Sequence, residues 1–458
     1  MRNPLCRLGT SPDVHGFIRR VPVIMGSASR RRIMRMQITT LTHKTREKAG
    51  ESLSGVRSGI RGFLPFLGPA IIASIAYMDP GNFATNIQSG ASFGYMLLWV
   101  VLLANLIAML FQSLSAKLGI VTGMSLASVC RENLPRPLVA VMWIGSELSA
   151  IATDLAEVLG GALGLSLLFH IPLLPACVIV GIATYLILLL HGYGFRPMEI
   201  VISAFVSIIS LSYVAELFIA PPRWGEALYH TFVPQLAGGE SVLLAVGIVG
   251  ATVMPHALYL HSDLTKDRIP TKNESEKRRV IRYSNHEVLL ALGLAGLVNM
   301  AMVAISASAF YFTGHQGVSD IASAYQTLAP LFGEASAAIF LLSLLASGFS
   351  SSVVGTMAGQ TIMQDFVRFR IPLWFRRIVT LAPACVIAAL GVNVIHALVM
   401  SQVVLSLALP IPMIALVYLT SKRSVMGAFT SSKLVVVASV AASVVVLALN
   451  GYLLAQYL

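Results

Sequence analysis

Charge is what this chain lacks most. Of its 458 residues only 11% are Asp, Glu, Lys or Arg, whereas a soluble domain carries about 25%. That shortage excludes an ordinary soluble enzyme and a disordered protein. Cysteine is scarce as well: Cys6, Cys130, Cys177 and Cys385 lie far apart with no Cys-x-x-Cys pair. A disulfide scaffold, a zinc knuckle and a dithiol redox motif are therefore removed from consideration. No Gly-x-x-x-x-Gly-Lys-Ser/Thr run occurs, so ATP is not the expected energy source, and His-Glu-x-x-His is missing too.

Apolar residues fill the space that charge leaves. They make up 56% of the chain, and mean hydropathy is +0.79. A net charge of +12 would suggest nucleic acid in a soluble protein. In a membrane protein, basic residues collect on cytoplasmic loops, so membrane lipid is the expected surrounding and no nucleic-acid partner is expected. From Leu64 onward 11 apolar stretches alternate with short polar joints, at 64–88, 95–120, 137–166, 173–191, 198–220, 241–262, 287–313, 334–363, 376–396, 400–420 and 433–456. Each is long enough to cross about 30 Å of hydrocarbon as a helix. Helix is favoured because lipid cannot satisfy free backbone groups, and strand alternation is absent. The fold class is an all-α, multi-pass membrane protein.

Residues 1–62 form a different region, with 13 Lys or Arg against three acids, Asp13, Glu47 and Glu51. They contain no spanning run and no secretory cleavage pattern. The segment reads as a basic cytoplasmic tail without fixed structure, with Met25, Met34 and Met36 as alternative initiators and a transit peptide as the sharper alternative. The membrane-spanning domain is expected over 63–458. Cations in the joints set its orientation. Lys117, Arg131 and Arg136, then Arg196, then the cluster from Lys266 to Arg282, then Arg368, Arg370, Arg376 and Arg377, then Lys422 and Arg423 all fall on one side. Arg223 is the main exception. The N-terminus is thus placed in the cytoplasm and the C-terminus outside.

Two spans carry a flaw that a lipid-facing helix would avoid. The first reads Ala76-Tyr77-Met78-Asp79-Pro80-Gly81-Asn82, and the sixth reads Gly250-Ala251-Thr252-Val253-Met254-Pro255-His256. Proline removes a backbone donor and glycine permits non-helical angles. A carboxylate at membrane depth is costly and marks function by default. The breaks sit at the same place in two blocks of five spans, and an odd number per block inverts the second block. Paired interrupted helices in inverted repeats point to a midplane substrate site. The repeats are expected over 63–220 and 241–420, with 433–456 as an extra helix.

Asp79 offers an anionic oxygen and Asn82 a neutral one, and the Ala76 and Ala251 carbonyls become available if the helices unwind. Met254 adds a thioether, a soft donor suited to transition metals rather than Mg²⁺ or Ca²⁺. The bland reading of Met254 is packing, as one of 18 methionines. Its place beside Pro255 in a broken helix sets it apart.

The Asp79-Pro80-Gly81-Asn82 and Met254-Pro255-His256 motifs resemble those of the Nramp family of divalent metal transporters, and Gly355-Thr356-Met357-Ala358-Gly359-Gln360 resembles the family's signature after span eight. The resemblance runs from about Leu64 to the C-terminus. It implies a LeuT-type 5+5 inverted repeat with 11 transmembrane helices, helices 1 and 6 broken, and proton-coupled import of Mn²⁺ or Fe²⁺ across a bacterial inner membrane. It further implies metal ligands at Asp79, Asn82, Met254, the Ala76 and Ala251 carbonyls, and Gln402. Mn²⁺ or Fe²⁺ and H⁺ are substrates, no cofactor is implied, and no obligatory protein partner is evident. The long basic tail departs from the family pattern.

Span three carries Glu147, Asp154 and Glu157, which fall within roughly an 80° arc of one helix face. They read as a proton relay leading from Asp79, together with His256, a side-chain type that titrates near neutrality. Arg376 and Arg377 are expected to pair with Asp154 or Glu157 and favour their charged forms. The alternative is a static buried network that only fixes packing. His261 is expected near the cytoplasmic end, solvated. Two rivals remain open at this point. A sodium-coupled amino-acid transporter would also break spans one and six, although Asp79 would repel a substrate carboxylate. A membrane metalloenzyme on His256 and His261 would need two side chains that are about 140° apart on a helix.

Overall fold

The computed structural model describes residues 44–57, 59–190, 195–315, 321–369 and 371–457. Positions 1–43 of the tail lie outside the described residues. Among the described residues the secondary structure is helical, with no strand. In chain order the helices are α1 (Pro69–Ile75), α2 (Pro80–Phe93), α3 (Leu98–Thr122), α4 (Leu126–Asn133), α5 (Arg136–Phe169), α6 (Leu173–Leu188), α7 (Phe195–Ile219), α8 (Trp224–Phe232) and α9 (Gly238–Thr252). There follow α10 (Pro255–Lys266), α11 (Glu274–Ser306), α12 (Ile321–Phe332), α13 (Glu334–Val367), α14 (Leu373–Leu390), α15 (Val394–Ala408), α16 (Pro410–Ser421) and α17 (Lys433–Tyr457).

Taking α9 with α10 and α15 with α16 as single crossings, nine runs among the described residues are long and apolar enough to span a membrane. Helix α6 is shorter, at 16 residues, and the first apolar stretch is shared between α1 and α2. Outward faces are apolar: Leu211, Phe218, Leu297 and Leu434 stand largely uncovered. In water such a girdle would be a liability; against acyl chains it is the expected surface.

The interior is helix packed on helix. Helices α5 and α13 meet at Gly161 and Gly348, where a side chain on Gly348 would overlap the Gly161 backbone. The first helix is pinned at its start. Pro69 occupies its first turn, and the buried carboxylate of Glu287 accepts from the N–H groups of Gly68 at 2.6 Å and Ala70 at 3.0 Å. A remote acid thus serves the orphan donors that every helix start leaves. Arg196 and Arg268 both donate to the Leu67 carbonyl, at 3.1 and 2.7 Å, and both pair with Glu199.

One expectation needs correction. Residues 44–53, read from sequence as unstructured tail, are helical and docked. Ala49 and Leu53 are buried with Phe66 and Val280. Arg46 donates to the carbonyls of Asp267 and Arg268 at the end of α10, and Arg279 donates to the Leu53 carbonyl at 2.6 Å. The basic composition hid two apolar side chains four residues apart, enough to seat one short helix.

Candidate functional site

Helix α1 stops at Ile75 and α2 starts at Pro80; α9 stops at Thr252 and α10 starts at Pro255. The physical reason is visible in the spacing. An α-helical carbonyl bonds the N–H four residues on, and the residue four beyond Ala76 is Pro80 while that beyond Ala251 is Pro255. Neither has an N–H to give. Both alanine carbonyls are therefore released from the ladder, at helix C-termini where the aligned peptide dipoles concentrate negative charge.

The intervening residues are served by side chains from elsewhere. Asn299 on α11 donates to the Tyr77 carbonyl at 2.7 Å, and Ser347 on α13 donates to the Met78 carbonyl at 2.6 Å. Asn86 on α2 in turn donates to the Asn299 oxygen at 3.0 Å. The sequence reading missed Asn299, Ser347 and Asn86. Their signal was available, since each is a polar residue inside an apolar run.

Asp79 caps α2. Its Oδ1 accepts from the Asn82 backbone N–H at 2.8 Å and from Asn82 Nδ2 at 2.6 Å, while Oδ2 is buried with no hydrogen-bond partner among the described residues. Asn82 Nδ2 also donates to the Ala251 carbonyl at 2.9 Å. The two broken helices are thereby joined through one amide, and Asp79, Asn82 and Ala251 converge. Gln402 on α15 is wedged against both: a Cβ on Gly81 would collide with its amide, and one on Gly250 with its carbonyl. Its Oε1 is likewise buried and unpartnered among the described residues. Met254 is fully buried in the α9–α10 interruption, and Ala76 is fully buried at the end of α1. Among the described residues no three His, Cys, Asp or Glu side chains form a metal cage; the local set is one carboxylate with neutral oxygens and a thioether.

The acidic stripe on α5 is connected to this region. A Cβ on Gly160 would overlap the Pro80 ring, so α5 lies directly against the start of α2. His256 on the first turn of α10 bonds Thr153 through Nδ1 at 3.1 Å, one residue from Asp154. Arg377 pairs with Asp154 at 3.4 Å and also donates to Ser352 at 2.6 Å; Arg376 pairs with Glu147 at 3.0 Å. The pairing of Arg376 differs from expectation, because Glu147 rather than Glu157 lies within its reach. Glu157 is fully buried and neither carboxyl oxygen has a partner among the described residues. His261 also departs from expectation. It is buried, not solvated, and bonds Gln112 at 2.8 Å, which in turn donates to the Tyr77 hydroxyl at 2.6 Å. Helix α10 packs against α3, and in its C-terminal half only Asp263 and Lys266 are partly exposed.

At the end bearing the basic joints a cavity of about 260 Å³ opens between Arg46, Glu199, Asp263, Arg268 and Gln364. A neighbouring one of about 170 Å³ shares Asp263 and Gln364.

The comparisons with known proteins agree with this geometry. Residues 70–456 match the family described as natural resistance-associated macrophage protein-like, Nramp. The chain is 58% identical over 415 residues to the divalent metal cation transporter MntH of Verminephrobacter eiseniae, covering 91% of this chain and 94% of that one. It is 46% identical to MntH of Bacillus subtilis, over 88% and 95% of the two chains. The crystal structure of the Eremococcus coleocola manganese transporter in complex with an aromatic bis-isothiourea substituted compound superposes with a TM-score of 0.78 at 32% identity, covering 86% and 87%. The crystal structure of MhsT in complex with L-phenylalanine shares the fold at a TM-score of 0.59 and 14% identity, covering 83% and 98%. The architecture is LeuT-type, and this chain belongs to the Nramp family.

Proposed function

We propose that this chain imports Mn²⁺, with Fe²⁺ as a second substrate, together with protons, as a secondary transporter in the plasma membrane of a bacterium. The observation that carries the reading is the convergence of Asp79, Asn82 and the Ala251 carbonyl, with one oxygen of a fully buried carboxylate left without a partner among the described residues. The activities named for the relatives, divalent metal cation transport and manganese transport, support the same substrate class.

The Asn82 amide stands between Asp79 Oδ1 and the Ala251 carbonyl, presenting hydrogens to two oxygens that a cation would otherwise satisfy. Turning that amide presents its oxygen instead. Asp79, Asn82, the carbonyls of Ala76 and Ala251, Met254 and Gln402 then supply oxygen ligands and one sulfur. The thioether favours Mn²⁺ or Fe²⁺ over Mg²⁺ and Ca²⁺ because hard ions gain little from sulfur. A carboxylate binds metal deprotonated, so arrival of the ion releases any proton from Asp79. Glu157, Asp154 and Glu147, with Arg377, Arg376 and His256 beside them, provide the route inward. Release proceeds into the cavity at the basic end, with the N-terminus cytoplasmic and the C-terminus outside.

Uptake of labelled Mn²⁺ into proteoliposomes at two external pH values tests this reading. Uptake is expected to rise at the lower pH, to be competed by Fe²⁺, Co²⁺ and Cd²⁺ but not by Mg²⁺, and to acidify the lumen. Uptake of amino acids in place of Mn²⁺ would overturn it.

A further inference from the structure

Glu216 has no part in the site described above, and its surroundings are unusual. It lies in the last turn of α7, at the end of the bundle away from the basic joints, and is 4% exposed. Its Oε1 is buried with no hydrogen-bond partner among the described residues, and the same holds for the hydroxyl of Tyr213 one turn earlier. Both side chains border a space of about 20 Å³, room for about one water molecule. The other walls come from α2 (Ile87), from the end of α11 (Ser306 and the π-helical residue Phe310), from α12 (Leu328) and from α13 (Phe340).

Those walls are apolar apart from Ser306, whose hydroxyl is already spent on the Ile87 carbonyl at 2.7 Å. Tyr213 is the one other titratable group on the wall among the described residues, and α2, α11, α12 and α13 contribute no charge to it. The wall offers a carboxylate ion no counter-charge among the described residues and room for about one water, and burial of an unpaired ion is costly. The packing of α2, α11 and α12 around Glu216 suits a protonated side chain better than an ion. Loss of that proton can be accommodated only by letting water in. The element with least to hold it is α12, a 12-residue helix containing Pro330, with exposed residues along its outer face.

We propose that Glu216 is a proton-binding site separate from Asp79, and that its protonation holds α12 closed over the outer end of α2. When the proton leaves, the carboxylate draws water beneath α12 and the helix lifts. Because α2 carries Asn82, the lid and the metal-binding segment share one wall, yet the proposal does not depend on which residues hold the metal.

The test is a distance measurement by pulsed electron paramagnetic resonance. Nitroxides are placed on Gln326→Cys in α12 and Glu226→Cys in α8, both exposed sites, in full-length protein whose four native cysteines are replaced by serine. Spectra are recorded in nanodiscs across a pH series without metal, so a wrong metal assignment cannot affect the result. A second, longer distance is expected to grow as pH rises, by about tenfold in the open-to-closed ratio per pH unit while Glu216 titrates. In Glu216→Gln the short distance should persist at every pH, whereas Glu216→Asp should retain the transition. A pH-independent distance in the parent protein overturns the proposal whether or not the glutamine variant folds. So does a Glu216→Gln variant that opens with pH as the parent does.

Discussion

At the scale of single residues the account rests on what each side chain leaves unsatisfied. Met254 is the one soft donor proposed for the site. Its replacement by alanine should preserve part of the Mn²⁺ uptake while admitting Ca²⁺ or Mg²⁺ more readily, because sulfur no longer discriminates against hard ions. Uptake across a metal series in proteoliposomes checks this, and unchanged selectivity would count against a thioether ligand. Arg377 makes a different demand. It and Asp154 are almost wholly buried, at 4% and 1% side-chain exposure. Removing the cation alone strands a buried carboxylate, at a cost of about 3–5 kcal/mol. Arg377→Ala should therefore lower the thermal unfolding midpoint markedly. The uncharged pair Asp154→Asn with Arg377→Met should recover most of it while leaving proton-coupled uptake impaired. Full recovery of coupling in that pair would reduce the acidic stripe to a packing device. Asp79, Asn82 and Met254 were legible in sequence because each lies within two residues of a proline in an apolar run, and Ala76 and Ala251 because each lies four residues before one; Gln402, eight residues from Pro410, came only from the family resemblance. Asn299 and Ser347 show in sequence only as polar residues inside apolar runs; the carbonyls they serve lie more than 200 residues away in the chain.

At the scale of elements the decisive contacts are helix on helix at glycines, where the facing helix comes too close for a side chain. Gly160 and Pro80 hold α5 against α2. Alanine is the better helix former by roughly 1 kcal/mol, so propensity alone predicts that Gly160→Ala stabilises the protein. The added methyl would overlap the Pro80 ring, and overpacking costs about 1–3 kcal/mol. The second effect should win, shifting the start of α2 and reducing Mn²⁺ uptake by about tenfold in protein that remains monodisperse. Uptake at the parent rate would mean that α5 does not set the position of α2. The two interruptions were predictable because proline acts locally, through the carbonyl four residues before it. The docked helix at 44–53 was not. A net basic composition describes what faces water, and only the partners Phe66 and Val280 reveal that Ala49 and Leu53 face inward. His261 was misplaced for a related reason: its position along α10 suggested solvent, and the neighbouring α3 fills that side.

At the scale of the whole molecule, apolar length and the clustering of cations gave the class of protein, whereas the arrangement of helices came from packing that hydropathy does not encode. The distribution of Lys and Arg has a testable consequence. A reporter enzyme that folds only outside the cytoplasm should be active when fused after Tyr457 and inactive when fused to the N-terminus, and the reverse pattern would invert the transport direction proposed. Everything else depends on the proposal that two helices part in mid-bilayer to present one carboxylate and one sulfur to the same ion. X-ray absorption on Cd²⁺ bound to the purified protein tests this most directly. The account predicts a shell of oxygen neighbours with a single sulfur, the sulfur vanishing in Met254→Ala and binding itself failing in Asp79→Asn. An all-oxygen shell in the unaltered protein, or undiminished binding without the Asp79 carboxylate, would contradict it.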